Sequence, residues 1–243
     1  MNLVVDIGNS LVKMAVFQED ILLKKKISLR KDFLKNLEEL NQKFPEIRFA
    51  MLSSVSKTPS GWIERLKKQY QLFILDQQLP QLFNNLYATP NTLGNDRIAL
   101  VSAACKKFPG KNVLVIDAGT CVTYDFKNDR EAYFGGAISP GLQMRFRALH
   151  TFTENLPLLE PEEEVKLVGD STKTSIQSGV IFGLTAEIEG VIKQYEVLYK
   201  DLTIIFTGGD AQFLCKRFKN SIFANSNFLL EGLNYILEFN KSQ

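Results

Sequence analysis

VVDIGNS, residues 4 to 10, runs directly into LVKMAVF, residues 11 to 17. The apolar run from Leu3 to Val5 is too short for a helix and suits a strand buried on both faces. It ends on Asp6, and the turn Asp6-Ile7-Gly8-Asn9-Ser10 leads into a second β-like run, Leu11 to Phe17. Further on, VIDAGTCVTYDF, residues 115 to 126, repeats the pattern. Aligning Asp6 with Asp117 matches Val4 to Val115, Val5 to Ile116 and Gly8 to Gly119. This short internal repeat falls where two similar halves would begin. A third apolar run, LTIIF from Leu202, enters the glycine turn Thr207-Gly208-Gly209-Asp210.

Glycine lets backbone N–H groups come close to an anion, and hydroxyl or amide side chains add further donors. All three turns therefore suit phosphates. None fits GxxxxGK[ST] or GxGxxG, and those motifs expect a helix directly after the loop. A strand follows the first two turns here, which favours phosphates held by β-hairpin turns. A carboxylate beside phosphates repels them unless a cation intervenes, so Asp6 and Asp117 imply bound cations. The plain alternative is a β-turn whose aspartate caps its own backbone. Recurrence of the pattern after two apolar strands weighs against it.

With 243 residues the chain is long enough for one large domain or two of about 120. Lys and Arg number 29 and Asp and Glu 27, a net charge of +2. That balance is too even for a nucleic-acid binder, and no sustained basic run carries interleaved aromatics. Lys24 to Lys26 read as a solvated strand or turn. The three cysteines, Cys105, Cys121 and Cys215, show no CxxC spacing and suit a reducing compartment. No basic-then-apolar leader opens the chain, and no apolar run approaches the ~18 residues of a membrane span. The expectation is a cytoplasmic protein without membrane or nucleic-acid partners.

Between the turns, residues 31 to 44 place Phe33, Leu34, Leu37, Leu40 and Phe44 on one helical face. A strand from Ile47, a short helix from Gly61 and a strand from Gln71 follow. The segment from Thr89 begins as a loop and becomes a helix with a stripe of Ile98, Val101, Ala104 and Cys105. SPGLQMRFRALHTFTENL from Ser139 and the long segment from Ser171 to Lys200 read as helices, and a closing amphipathic helix begins near Asn227. The run Glu160 to Glu164 reads as a loop. His150 is the only histidine, which speaks against a Ser-His-Asp or multi-histidine metal mechanism and leaves it a structural role.

These motifs, in this order, resemble type III pantothenate kinase, a family of the acetate and sugar kinase, Hsp70 and actin superfamily. The resemblance rests on Asp6 to Ser10, Gly94-Asn95-Asp96-Arg97, Asp117 to Thr120, Gly135-Gly136-Ala137-Ile138-Ser139-Pro140-Gly141-Leu142, and Thr207 to Ala211. DxG turns alone point only to the superfamily. GxDR between them and GGxIxPGL after them select the family. The resemblance implies an α/β fold of two RNase H-like, actin-like ATPase domains, residues 1–114 and 115–243, with ATP between them. It further implies a homodimer and phosphorylation of pantothenate at its primary hydroxyl. ATP with magnesium and a monovalent cation, potassium or ammonium, are the implied cofactors.

Residue by residue, the resemblance makes Asp96 the general base. An aspartate can orient a hydroxyl and take its proton, although one near a helix start is also simply favoured by the helix dipole. It places Gly94, Asn95, Asp96 and Arg97 against pantothenate, where Arg97 can pair bidentately with a carboxylate. Tyr87 matches an aromatic substrate contact and Thr172 a further one, with loop packing and helix capping as their ordinary alternatives. Asp6, Ile7, Gly8, Asn9, Ser10, Leu11, Val12 and Lys13 correspond to the ATP phosphate loop, and Asp6 also to a Mg-ATP contact. Thr120 is the second phosphate contact, Gly208 and Gly209 border the adenine, and Asp117 matches the monovalent-cation ligand. Two residues depart from the common pattern: Asn95 replaces a small residue and is expected to narrow the pocket, and Ser10 stands where threonine is common. Another kinase of the superfamily, a non-catalytic regulatory relative and an actin-like filament protein are the competing readings.

Overall fold

The computed structural model describes residues 1–8, 11–54, 57–218 and 223–241. In chain order the elements are β1 (Asn2–Ile7), β2 (Leu11–Gln18), β3 (Ile21–Leu29), α1 (Phe33–Lys43), β4 (Phe49–Ser54), α2 (Ser60–Gln69), β5 (Gln71–Ile74), β6 (Asn84–Asn85) and α3 (Asn95–Lys107). There follow β7 (Val113–Ala118), β8 (Cys121–Lys127), β9 (Ala132–Pro140), α4 (Leu142–Thr151), α5 (Thr172–Leu198), β10 (Thr203–Thr207), α6 (Ala211–Cys215), β11 (Phe223–Ala224) and α7 (Phe228–Lys241).

The chain forms two compact units. The first comprises residues 1–109, 131–133 and 227–243, and the second residues 110–130 and 134–226. In the first, the strand order is β3-β2-β1-β4-β5. β1 and β2 are antiparallel, as are β2 and β3, while β4 runs parallel to both β1 and β5. In the second, five strands run in the order β9-β8-β7-β10-β11, with β7 antiparallel to β8 and β10 parallel to both β7 and β11. The short β6 pairs parallel with Ala132 and Tyr133 at the start of β9, residues that belong to the first unit. The orders correspond strand for strand, so the short repeat legible around Asp6 and Asp117 is a repeat of whole sheets.

Each central strand is apolar on both faces because helices cover it. In the first unit Leu3, Val5 and Ile7 of β1 pack with Val12, Met14 and Val16 of β2 and with Phe33, Leu37 and Leu40 of α1. On α3 every residue from Arg97 to Cys105 is buried, so the expected one-sided stripe is a helix enclosed all round. Small residues make this possible: a Cβ on Gly232 of α7 would fall 1.9 Å from the Ala99 carbonyl oxygen of α3. In the second unit Leu114 and Ile116 of β7 and Val122, Tyr124 and Phe126 of β8 pack on Ile176, Val180, Leu184, Ile188 and Ile192 of α5.

The units correct the single boundary expected between residues 114 and 115. The first ends at 109, and α7 returns to it instead of closing the second half. Polar pairs fix that return: Asn2 Nδ2 donates to Asn234 Oδ1 at 2.8 Å, and Asn234 Nδ2 donates to the Glu19 carbonyl at 2.8 Å. The helix expected from Ser139 is also shorter than expected. Ser139 and Pro140 finish β9, Gly141 is the N-cap, and α4 stops at Thr151. Among the described residues no helix is long and apolar enough to cross a membrane.

Candidate active site

Asp6 is the penultimate residue of β1, in register with Lys13 of β2 on one side and Ser53 of β4 on the other. The strand pairing thus buries its carboxyl, which is 5% exposed. Lys13 Nζ stands 3.8 Å from its Oδ2. Desolvation nevertheless prevails: burial pushes the Asp6 carboxyl from the usual 3.8 up to about 6, with Lys13 and the Ser53 hydroxyl pulling down and the Asp96 carboxylate pushing up. Ile7 and Val12 are buried and paired across the hairpin, and Leu11 opens β2 exposed. The Gly8 N–H closes the turn on the Leu11 carbonyl at 3.0 Å. Asn9 and Ser10, expected at the phosphates, lie outside the described residues.

The GxDR segment forms the start of α3, in the same unit. Gly94 is the N-cap in an extended conformation, without a capping side chain. A Cβ there would fall 2.4 Å from Asp96 Oδ1, so glycine is what lets the Asp96 carboxylate hold its rotamer. That oxygen accepts from the Arg97 N–H at 2.8 Å. Arg97 is buried, its guanidinium carbon 5.5 Å from the Tyr87 ring centroid and 6.0 Å from that of Tyr133. Tyr87 and Tyr133 lie 6.1 Å apart, and Phe83 meets Tyr133 edge-on at 5.5 Å. Tyr133 was not legible as a site residue. Its only sequence signal is an aromatic pair, Tyr133-Phe134, just before the two glycines of GGAISPGL. An arginine bedded on aromatic faces can present its planar N–H edge to a carboxylate.

The Asn95 amide turns toward the strand ends, with Nδ2 donating to the Leu75 carbonyl at 2.8 Å and to the Ser54 carbonyl at 3.4 Å.

The second unit repeats the arrangement of the first. Asp117 is penultimate in β7, in register with Thr123 of β8 and Thr207 of β10. The Gly119 N–H closes the turn on the Cys121 carbonyl at 2.9 Å, leaving Thr120 exposed at its tip. Gly141 of the PGL motif donates to the Thr120 carbonyl at 3.2 Å, and a Cβ on it would lie 2.2 Å from the Gly119 oxygen. Gly208 has φ +101°, and a Cβ there would lie 2.2 Å from the Ala118 oxygen and 2.4 Å from Asp117 Oδ1. The Asp210 N–H then bonds the Ala118 carbonyl at 2.9 Å, and burial raises the Asp210 carboxyl above its usual range. Gly209 is open on its Cβ side. The DAGT, PGL and TGGD motifs are therefore one packed cluster.

Thr172 belongs to neither cluster. It is the first residue of α5, whose cap is the reciprocal box of Ser171 and Thr174, so its hydroxyl is not used for capping. It lines a cavity of about 770 Å³ with Arg145, Leu149, Leu156, Ile176 and Val180. His150 lies in the last turn of α4, with Nδ1 2.7 Å from the Leu156 carbonyl oxygen.

Two mixed sheets of matching strand order, each with a donor-rich turn at the end of its central strand, have the fold of actin-like ATPase domains. Known structures agree: a Sinorhizobium meliloti protein described as a 2-dehydro-3-deoxygalactonokinase superposes with a TM-score of 0.59 at 12% identity, covering 97% of this chain and 98% of its own. A Campylobacter jejuni protein assigned to the Baf family of transcriptional activators superposes at 0.67, with 23% identity over 99% and 100% of the two chains. More specifically, the family model for type III pantothenate kinase matches residues 2–194. A type III pantothenate kinase of Christiangramia forsetii is 60% identical over 243 residues, 100% of both chains. The chain belongs to the type III pantothenate kinase family.

Proposed function

We propose that this protein transfers the γ-phosphoryl group of Mg-ATP to the primary hydroxyl of pantothenate, giving 4'-phosphopantothenate and ADP, the first step of coenzyme A synthesis. Family membership supports the reaction. The observation that carries the site assignment is the start of α3, where the Asp96 carboxylate, kept in place by Gly94, adjoins an arginine bedded on Tyr87 and Tyr133.

Asp96 accepts the proton of the attacking hydroxyl as its oxygen bonds to phosphorus, while the β–γ bridging oxygen leaves with ADP. Arg97 pairs with the pantothenate carboxylate, and Tyr87 and Gly94 border the same substrate. Asp6 to Lys13, Thr120, Gly208 and Gly209 bind ATP. Asp6 fits a magnesium ion brought by the nucleotide, because a buried carboxyl displaced to about 6 is a costly anion until a cation stands beside it. Asp117, flanked in register by the hydroxyl residues Thr123 and Thr207, offers the hard oxygen donors that suit a potassium or ammonium ion. When bound, these ions neutralise charge on the phosphates.

The reading also includes a homodimer. Gly179, Gly183 and Gly190 of α5 have nothing within 4 Å of a built Cβ and, with Ala186, form a flat stripe on which a second helix can pack closely. Thr172, exposed at the head of the same helix, is the further substrate contact in this reading. Gly183→Arg is expected to convert a particle of twice 27.5 kDa into a monomer in sedimentation equilibrium. Three free cysteines fit a cytoplasmic setting.

The test is ADP release from Mg-ATP with and without pantothenate, in potassium and then in sodium. Pantothenate-dependent, potassium-stimulated release is expected. ATP binding without pantothenate-dependent release defeats the substrate assignment. In the same assay Gly94→Ala, which drives a methyl group into the Asp96 carboxylate, is expected to lower kcat by on the order of 10²-fold. Its stability cost should stay near 1 kcal/mol, the usual difference between glycine and alanine at an N-cap.

A further inference from the structure

We propose that Asn95 is a positioning residue for Asp96, the principal peg of a two-point amide staple that fixes where the first turn of α3 presents its carboxylate. The inference rests on the reading of Asp96 as the base. The start of α3 has no capping side chain, so the local sequence alone does not hold it. Two side-chain amides do so from outside the helix. Gln77 Nε2 donates to the Leu93 carbonyl at 3.0 Å, just ahead of Gly94. Asn95 Nδ2 donates to the Leu75 and Ser54 carbonyls at 2.8 and 3.4 Å.

The acceptors show what is being aligned. Ser54 ends β4, pairs with Ile7 of β1, and follows Ser53, which pairs with Asp6. The Leu75 N–H bonds the Leu52 carbonyl at 2.9 Å, so Leu75 continues the β4–β5 ladder. One amide therefore ties the residue beside Asp96 to the ends of β4 and β5, next to β1, the strand that carries Asp6, and sets one carboxylate relative to the other. Asn95 Oδ1 is buried with no partner among the described residues. The donor end alone holds the side chain, and Nδ2 is the atom on which the role depends. Alanine removes it. Aspartate keeps the shape but turns a charged oxygen on two carbonyl oxygens. Glutamine keeps a donor on a longer stem.

The experiment measures kcat, KM for pantothenate and KM for ATP with the full-length protein, together with thermal midpoints. Asn95→Ala and Asn95→Asp are each expected to lose about 10–100-fold in kcat, the scale of a misplaced catalytic group, with KM for ATP within about threefold. Asn95→Gln is expected to recover part of that loss. Gln77→Ala is expected to show the same pattern more weakly, and it carries the test if the Asn95 variants do not fold. Wild-type kcat in Asn95→Ala, or in the donorless Asn95→Asp, overturns the inference, as does a rise in KM for ATP that parallels the fall in kcat. Asp96→Asn separates the two levels: if it is inactive while Asn95→Ala is unaffected, only the positioning role fails. If Asp96→Asn is active, the base assignment fails and the inference with it.

Discussion

Asp96→Asn is expected to lose pantothenate-dependent ADP release by about 10²–10⁴-fold, the usual contribution of a positioned general base. The substitution preserves size and removes only proton affinity and charge. The Arg97 N–H keeps an oxygen acceptor, since the amide carbonyl can replace Asp96 Oδ1 at its 2.8 Å contact. Fold and nucleotide affinity should therefore persist, which calorimetry with a non-hydrolysable ATP analogue checks. A kcat within threefold of wild type shows that the hydroxyl loses its proton elsewhere.

Asp6→Asn is expected to move stability and activity in opposite directions. Burial raises the Asp6 carboxyl to about 6 in the folded protein, while the unfolded chain keeps it near 3.8. The folded state thus holds its proton to higher pH, so the stability associated with this group is complete below pH 4 and is lost as pH rises through about 6. At about 1.4 kcal/mol per unit, the ionised carboxylate costs on the order of 3 kcal/mol at pH 8 in the ligand-free protein. That figure already contains the attraction of Lys13, so asparagine, which carries no charge to bury, is expected to gain up to about 3 kcal/mol, or several degrees in thermal midpoint. The gap between variant and wild type should close toward pH 4, where the wild-type group is neutral too. Mg-ATP turnover should meanwhile fall on the order of 10²-fold, the scale seen when one electrostatic contact to a transferring group is lost. A variant less stable than wild type at pH 8 contradicts this electrostatic picture of β1.

The repeat of Asp6 and Asp117 was legible because a strand buried on both faces leaves an unbroken apolar run, and a polar turn after it stands out. The same signal located β7, β10 and the turns that end them. β9 was not legible: Gly135, at φ +108°, and Gly136 break its pattern. A Cβ on Gly136 would meet the Tyr124 oxygen at 1.7 Å, so this glycine serves close strand packing and not a turn. The return of α7 to the first unit was equally hidden. An amphipathic helix shows that it packs, but its partner depends on distant pairs such as Asn2 with Asn234.

At the site, residue types chosen for their chemistry could be read from sequence, while those chosen for geometry could not. Asp96 and Arg97 stand out as a charged pair before an apolar helix. Tyr133 is separated from Arg97 in sequence and reaches it because β9 pairs with β6, where Asn85 stands in register with Tyr133 and the Leu86 N–H bonds the Tyr133 carbonyl at 2.9 Å. The direction of the Asn95 amide is set by the β4 and β5 strand ends, which no local pattern specifies. Gly208 was recognised as a turn residue, yet its close approach to Asp117 emerges only when β10 lies beside β7.

The most direct measurement is the identity of the phosphorylated product. Purified protein would be incubated with Mg-ATP and potassium in the presence of pantothenate, a panel of hexoses, acetate or water alone, and each reaction followed by phosphorus NMR and mass spectrometry. The expected result is a phosphomonoester on the primary hydroxyl of pantothenate, formed with one ADP per phosphate and absent with the other acceptors. Phosphate appearing on a sugar or on acetate, or released only to water while pantothenate stays unmodified, would contradict the assignment.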